Sequence, residues 1–193
     1  MPWNKIPLAV IPFLILFPVL NLIGWFTGNV FLIQFLPEFS PLVPNASLLF
    51  ILAGFSLLSH FLGRWRPGLI CALLILIVAS LSGLEYLLDC SLGIDTLLVK
   101  VSPSFLSGIP ERFLPNAAIC FILSALSLLI LNHPPWFRRA YYPVGLLGST
   151  VSALGGMALL GYLFDVEAAF SWGGSRRCRC SPPWRSGFWA WPS

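Results

Sequence analysis

The chain has 193 residues, of which 58% are hydrophobic and only 9% are charged, and its mean hydropathy is +0.87. These values exclude an ordinary soluble domain and predict a protein whose solvent is lipid. The formal net charge of +4 does not indicate a nucleic-acid partner, because much of the positive charge is confined to one terminal segment. Its arginines are Arg176, Arg177, Arg179 and Arg185.

Five long apolar runs follow one another along the chain, at residues 6–26, 46–62, 67–88, 114–131 and 141–164. A bilayer core about 30 Å thick is crossed by a helix of roughly 20 such residues. The runs are continuously apolar, whereas the strands of a membrane barrel would alternate, so helix is favoured over strand. We therefore predict an all-α, polytopic membrane bundle of five transmembrane helices, within a membrane domain at residues 1–174.

The first run could also be read as the core of a cleaved signal peptide behind the weakly basic start of the chain. It is longer than such a core, and it ends in NLIGWF at 21–26 without a small-residue cleavage site. We therefore predict an uncleaved anchor. Pro12 and Pro18 inside the run are compatible with a helix embedded in lipid.

The charges divide cleanly when the five runs are laid across a membrane in alternating directions. One side receives Lys5, Arg64, Arg66, Arg138 and Arg139, and the other receives every acidic residue of the chain. Because short cytoplasmic connections collect Lys and Arg, these arginines set the topology and the amino terminus is predicted to be cytoplasmic. A label at position 65 should then be cytoplasmic, and one at position 95 should be external.

An internal repeat links the second and fourth runs, since PNASLLFILAGFSLL at 44–58 matches PNAAICFILSALSLL at 115–129. Each copy begins with Pro followed by Asn45 or Asn116, and we predict that these asparagines cap the first helical turn. A ligand at the outer face is the alternative role for them. A second echo pairs YLLD at 86–89 with YLFD at 162–165, so the chain resembles a series of repeated helical hairpins.

Residues with metal or haem chemistry are sparse in the sequence. Asp89, Asp95 and Glu111 could bind a cation, but they lack close metal-ligand spacing. His60 and His133 could hold haem iron, but both lie at predicted helix ends beside basic residues. Cys71 and Cys120 lie inside apolar runs as small hydrophobic residues, while Trp25, Trp65, Trp136 and Tyr86 fit aromatic belts. We predict no cofactor and no metal site.

Catalytic motifs are absent from the sequence, which shows no phosphate loop, no paired intramembrane carboxylates and no nucleophile with a base in reach. We therefore predict that this chain is not an enzyme. The predicted spans also lack charge at their centres, which argues against transport and favours packing, anchoring or sensing.

Five short segments carry a resemblance to a known group of membrane regions: IGWF at 23–26, LEYLLD at 84–89, GIDTLL at 93–98, PERFLPNAAICF at 110–121 and GYLF at 161–164. Together with the hairpin pattern, they resemble the amino-terminal multi-pass membrane input region of bacterial sensor histidine kinases and diguanylate cyclases. The resemblance covers roughly residues 6–174. It implies a sensory or anchoring module of the bacterial inner membrane, followed in complete relatives by cytoplasmic PAS, kinase or cyclase domains.

No phosphoacceptor, nucleotide-binding or cyclase signature follows the fifth run, so we expect a truncated input module without an output domain. A small transporter or channel subunit is the alternative function. The expected partners are the lipid bilayer and a second copy of the chain, paired through the membrane helices, and no ligand can be assigned.

The segment 175–193 departs abruptly from the rest, because basic, Cys, Pro and Trp residues replace Leu, Ile and Val. As written it would place four arginines outside, against the charge rule, and it should be disordered. We predict a shifted reading frame, since rereading each codon from its third base permits an apolar sixth span. A genuine cationic tail, or a sparse Cys178-x-Cys180 metal site, is the alternative.

Overall fold

The computed structural model describes residues 5–33, 42–88, 115–133 and 141–164, and all regular structure within these ranges is α-helical. The all-α class predicted from the apolar runs is therefore confirmed for this part of the chain. The helices are α1 Lys5–Thr27, α2 Val30–Ile33, α3 Pro44–Phe61, α4 Trp65–Leu88, α5 Pro115–Asn132 and α6 Tyr141–Leu163.

Four of these helices are long and apolar enough to cross a membrane: Val10–Thr27, Pro44–Phe61, Trp65–Glu85 and Tyr142–Gly161. They indicate a membrane protein. The predicted count of five spans is not confirmed, because the apolar part of α5 covers only Asn116–Asn132. At 1.5 Å per residue, such a helix is about 26 Å long, slightly less than the bilayer core.

Neighbouring helices pack in chain order: α1 on α3, α3 on α4, α4 on α5 and α5 on α6, with α3 also touching α5. The centre of the bundle is formed by small and branched side chains, which let the helix backbones approach closely. Leu49, Ala72, Ile75, Ala79 and Ala125 are all fully buried there. α6 is the least covered of the long helices, since only 6% of its apolar window is buried.

The link between α3 and α4 is a tight turn, as the short segment 63–67 with Gly63 predicts. Gly63 has a φ of 69°, and the Arg64 N–H donates to Ser59 O while the Gly63 N–H donates to His60 O. This is the helix-ending arrangement in which a left-handed glycine satisfies the last carbonyls of a helix. The turn reverses the chain within three residues and sets α4 against α3.

The helix cap predicted at Asn45 is placed differently in the structure. Pro44 is the first residue of α3, because its fixed φ suits that position and its missing N–H costs nothing there. Val43 consequently occupies the N-cap position and makes no side-chain capping hydrogen bond, while Asn45 lies buried within the first turn. Asn116 has the same place in the chain as second residue of α5.

Several predictions concern residues outside the described ranges. They are the topology-setting Arg138 and Arg139, the acidic Asp89, Asp95 and Glu111, and the segment 175–193 with its proposed frameshift.

Candidate functional site: two polar networks on α3

Buried polar side chains in the described helices all lie within six residues of a helix end. Between them the bundle centre is apolar. In a bilayer, a buried polar group must find its partner inside the protein. The set comprises Asn21, Asn45, Ser47, Ser56, Ser59, Ser82, Glu85 and Asn132.

One network is called the outer network because the charge pattern of the sequence predicts that its end of the bundle faces outward. It is centred on Asn21 of α1, which is only 3% exposed. Its Nδ2 donates to Leu32 O at 3.4 Å and to Ile33 O at 3.2 Å, both in α2. Its Oδ1 accepts a hydrogen bond from Ser47 Oγ of α3 at 2.9 Å. The amide thus uses both its donor and its acceptor end and joins three helices.

The chain after α1 folds back as a short strap over the side of that helix. Gly28 permits the reversal with a φ of 69°, and Asn29 then starts α2 by accepting a hydrogen bond from the Phe31 N–H at 3.1 Å. Gly24 lies so close to α2 that a Cβ there would be 2.6 Å from Leu32 Cβ. We use the term outer strap for α2 with the turn at Gly28.

Trp25 forms a further contact between α1 and the segment just before α3. Its indole Nε1 donates to Leu42 O at 3.0 Å, and the ring is half-buried. The indole therefore links α1 to the segment before α3, a role that the aromatic-belt prediction does not include. A buried or half-buried tryptophan ordinarily finds a partner for its N–H in this way.

The inner network joins α3, α4 and α5 at the opposite end of the bundle. Ser56 Oγ donates to Gly68 O at 3.0 Å and accepts from Asn132 Nδ2 at 3.2 Å. The same Nδ2 also donates to Leu128 O of its own helix at 2.9 Å. We call Ser56, Gly68 and Asn132 the inner clamp.

One acceptor of the inner clamp has no hydrogen bond. Asn132 is 2% exposed, and its Oδ1 is buried without a donor. The oxygen lies against Gly68, where a Cβ would fall well inside van der Waals contact with it. Only glycine at position 68 lets the amide approach α4 so closely.

Two of the four basic residues predicted to set the topology are close in sequence to Gly68 of this clamp. Arg64 and Arg66 are exposed at the start of α4, and the Arg66 guanidinium lies 5.2 Å from the centre of the Trp65 ring. Ser59 Oγ donates to Arg64 O and so fixes the turn from α3. The arginines therefore project from the end of the bundle at which the clamp lies.

Glu85 is the one charged residue among the buried side chains of the described ranges. It lies in the last turn of α4, two positions after Gly83, where an added Cβ would be 3.8 Å from Ala118 Cβ of α5. The sequence assigns this carboxylate to the outer side, at the end of the third apolar run.

Asn21, Ser47, Ser56 and Asn132 were not identified from the sequence as site residues. One sequence signal could have found them. Polar side chains in or beside apolar runs are unusual, and such residues commonly form hydrogen bonds between helices in membrane proteins. Within the described residues no three His, Cys, Asp or Glu side chains come together. Cys71 and Cys120 are free thiols in α4 and α5.

No protein-family model, no curated protein and no solved structure matches this chain.

Proposed function

We propose that the chain is the membrane-embedded sensory or anchoring module of a bacterial signal-transduction protein. The observation that carries the proposal is the division of buried groups along the bundle. Buried polar side chains lie near the helix ends, and Asn21, Ser47, Ser56 and Asn132 among them form hydrogen bonds between helices, whereas the core cluster is apolar. Such a bundle is built to hold helices in a defined arrangement, and small shifts of packed helices are an established means of signalling.

The number of spans, the repeated hairpins and the membrane orientation are part of the same proposal. α5 would also cross the membrane and bring the number of spans to five, because it packs between α4 and α6 and repeats the sequence of α3. The repeated units would be the hairpins α1 with α3 and α4 with α5, and α6 would begin a third. With Arg64 and Arg66 on the cytoplasmic side, the amino terminus would lie in the cytoplasm of a bacterial cell.

A small transporter or channel subunit is the alternative function. It would need a polar pathway or an ionisable site near the middle of the membrane. The fully buried apolar residues of the core cluster, Leu49, Ala72, Ile75, Ala79 and Ala125, offer no such pathway. Uptake or conductance in vesicles containing the purified protein would favour the alternative.

A fusion to a reporter kinase tests the input function. Because α6 should end outside the cell, the kinase is joined after residue 164 through one added apolar helix. Substitutions in the outer segments 28–45 and 89–113 should change kinase output, while exposed α6 substitutions such as Leu146→Ala should not. Output that is indifferent to every change in the outer segments would leave anchoring as the function.

A homodimer formed through the membrane helices remains a prediction of this function. The mass of the detergent-solubilised protein, measured with the bound detergent subtracted, distinguishes one copy from two.

A further inference from the structure

The outer and inner networks are anchored on opposite sides of one helix. Ser47 and Ser56 of α3 are nine positions apart, which in an α-helix is a rise of about 13.5 Å and a rotation of about 180°. Ser47 faces α1 through Asn21, and Ser56 faces α4 and α5 through the inner clamp. α3 is therefore bonded to α1 near its start and, on the opposite face, to α4 and α5 near its end.

The packing along α3 follows the same division. Gly54 is seven positions after Ser47 and lies against α1, since a Cβ there would be 2.6 Å from Ile15 Cγ1. Leu49 is seven positions before Ser56 and is fully buried in the core cluster that includes Ile75 of α4. A helix packed closely on both sides cannot turn or tilt at one end without displacing contacts at the other.

The two networks differ in how completely they are bonded. The Asn21 amide uses both of its ends, whereas Asn132 Oδ1 in the clamp accepts no hydrogen bond. Ser56 has a single hydroxyl proton, and Gly68 O receives it. An unmet buried acceptor costs free energy, and a rearrangement that supplied a donor would recover it. A rearrangement of the helices would therefore lower the free energy most at the inner-clamp end of α3.

We propose that α3 is a diagonal brace that couples the outer strap to the inner clamp. Displacing α2 from Asn21 releases the Ser47 side of α3, and the helix then turns at Ser56 and changes the hydrogen bonding of Asn132. Use of this coupling for signalling rests on the proposed input function, but the mechanical coupling does not depend on it.

A double-mutant cycle on the full chain in detergent micelles tests the coupling directly. Ser47→Ala and Ser56→Ala each remove one hydroxyl, and residues this far apart without a shared partner normally give additive effects. We expect the unfolding equilibrium constant of the double variant to differ at least threefold from the value that the single variants predict. A difference of less than threefold would overturn the brace.

The matched control combines Ser47→Ala with Thr150→Ala. Thr150 is exposed on α6, and its hydroxyl bonds only to Leu146 O of the same helix in the described hydrogen bonding. This pair should be additive. Coupling as large as that of the α3 pair would mean general loosening, and it would contradict a specific path through α3.

Spin labels provide a second readout that does not rely on unfolding. With the five native cysteines replaced by alanine, a label at Leu62→Cys reports the turn beside the clamp, and one at Leu146→Cys reports α6. Asn21→Leu should change the mobility of the label at position 62 and leave that at position 146 unchanged. No change at position 62, or the same change at both, would overturn the proposal. A reporter fusion insensitive to the outer segments would refute the input function alone.

Discussion

The rings of Phe50 and Phe121 meet edge to face, with their centroids 4.9 Å apart and their planes at 68°. These residues occupy the same position in the two sequence repeats, so equivalent points of α3 and α5 lie against each other. Phe121 is buried, and Phe50 packs against the same core cluster. Two repeated hairpins that packed side by side at the same depth in the membrane would produce this contact.

The aromatic pair should be energetically coupled. Phe50→Leu and Phe121→Leu each keep an apolar side chain, and together they should show a coupling free energy of about 0.5–1.5 kcal/mol, the usual worth of such a pair. Equilibrium unfolding in detergent measures it. Phe13→Leu paired with Phe121→Leu is the control, because Phe13 is 67% exposed and stacks on Phe17 of its own helix. Additivity of the Phe50 and Phe121 changes would contradict the contact.

Gly68→Ala should be the most damaging glycine-to-alanine change in α4. The new methyl group would collide with the Asn132 amide, and overpacking of this kind costs about 1–3 kcal/mol. Gly83→Ala is the matched control, since its methyl group would meet Ala118 Cβ at an ordinary 3.8 Å. That control should be neutral, or stabilising by up to roughly 1 kcal/mol through helix propensity. Thermal unfolding shows which of the two variants is less stable. Equal stabilities would argue against the close approach of the Asn132 amide to Gly68.

Asn21→Leu should destabilise the protein more than Asn132→Leu does. The first change removes three hydrogen bonds and leaves two α2 carbonyls without that donor, a loss of about 1–3 kcal/mol. The second also removes hydrogen bonds, but it eliminates the unbonded Oδ1 as well, so its net cost should be about 1 kcal/mol or less. Midpoints of thermal unfolding in the same detergent compare the two variants. The reverse order would mean that Asn132 is better bonded than the structure indicates.

The sequence predicts the long helices because continuous apolar runs in lipid leave the backbone no alternative to internal hydrogen bonds. The sequence predicts that the segment 28–45 is able to form short interfacial helices, but it does not predict the bounds of α2, since this four-residue helix is created by the turn at Gly28 and by Asn21, twelve positions before Ile33. The sequence predicts Asn45 as the cap of α3, whereas in the structure the helix begins at Pro44, whose fixed φ suits the first helical position.

The polar networks were beyond the reach of sequence patterns for a different reason. Ser56 and Asn132 are 76 positions apart, and no local spacing relates them. Only the packing of α3, α4 and α5 brings them together. Isolated Ser and Asn residues in apolar runs identify candidates for such contacts, but they do not identify the partners.

Crossing of the membrane by α1, α3, α4, α5 and α6 is the central claim, and cysteine labelling in intact cells tests it directly. Single cysteines replace Asn29, Trp65, His133 and Phe164, which are exposed near helix ends, in the background without native cysteines. Positions 65 and 133 should react only after the cytoplasmic side is opened, and positions 29 and 164 should react from outside with an impermeant maleimide. Labelling of position 133 from the same side as position 29 would show that α5 does not cross, and labelling of positions 29 and 65 from one side would contradict the bundle itself.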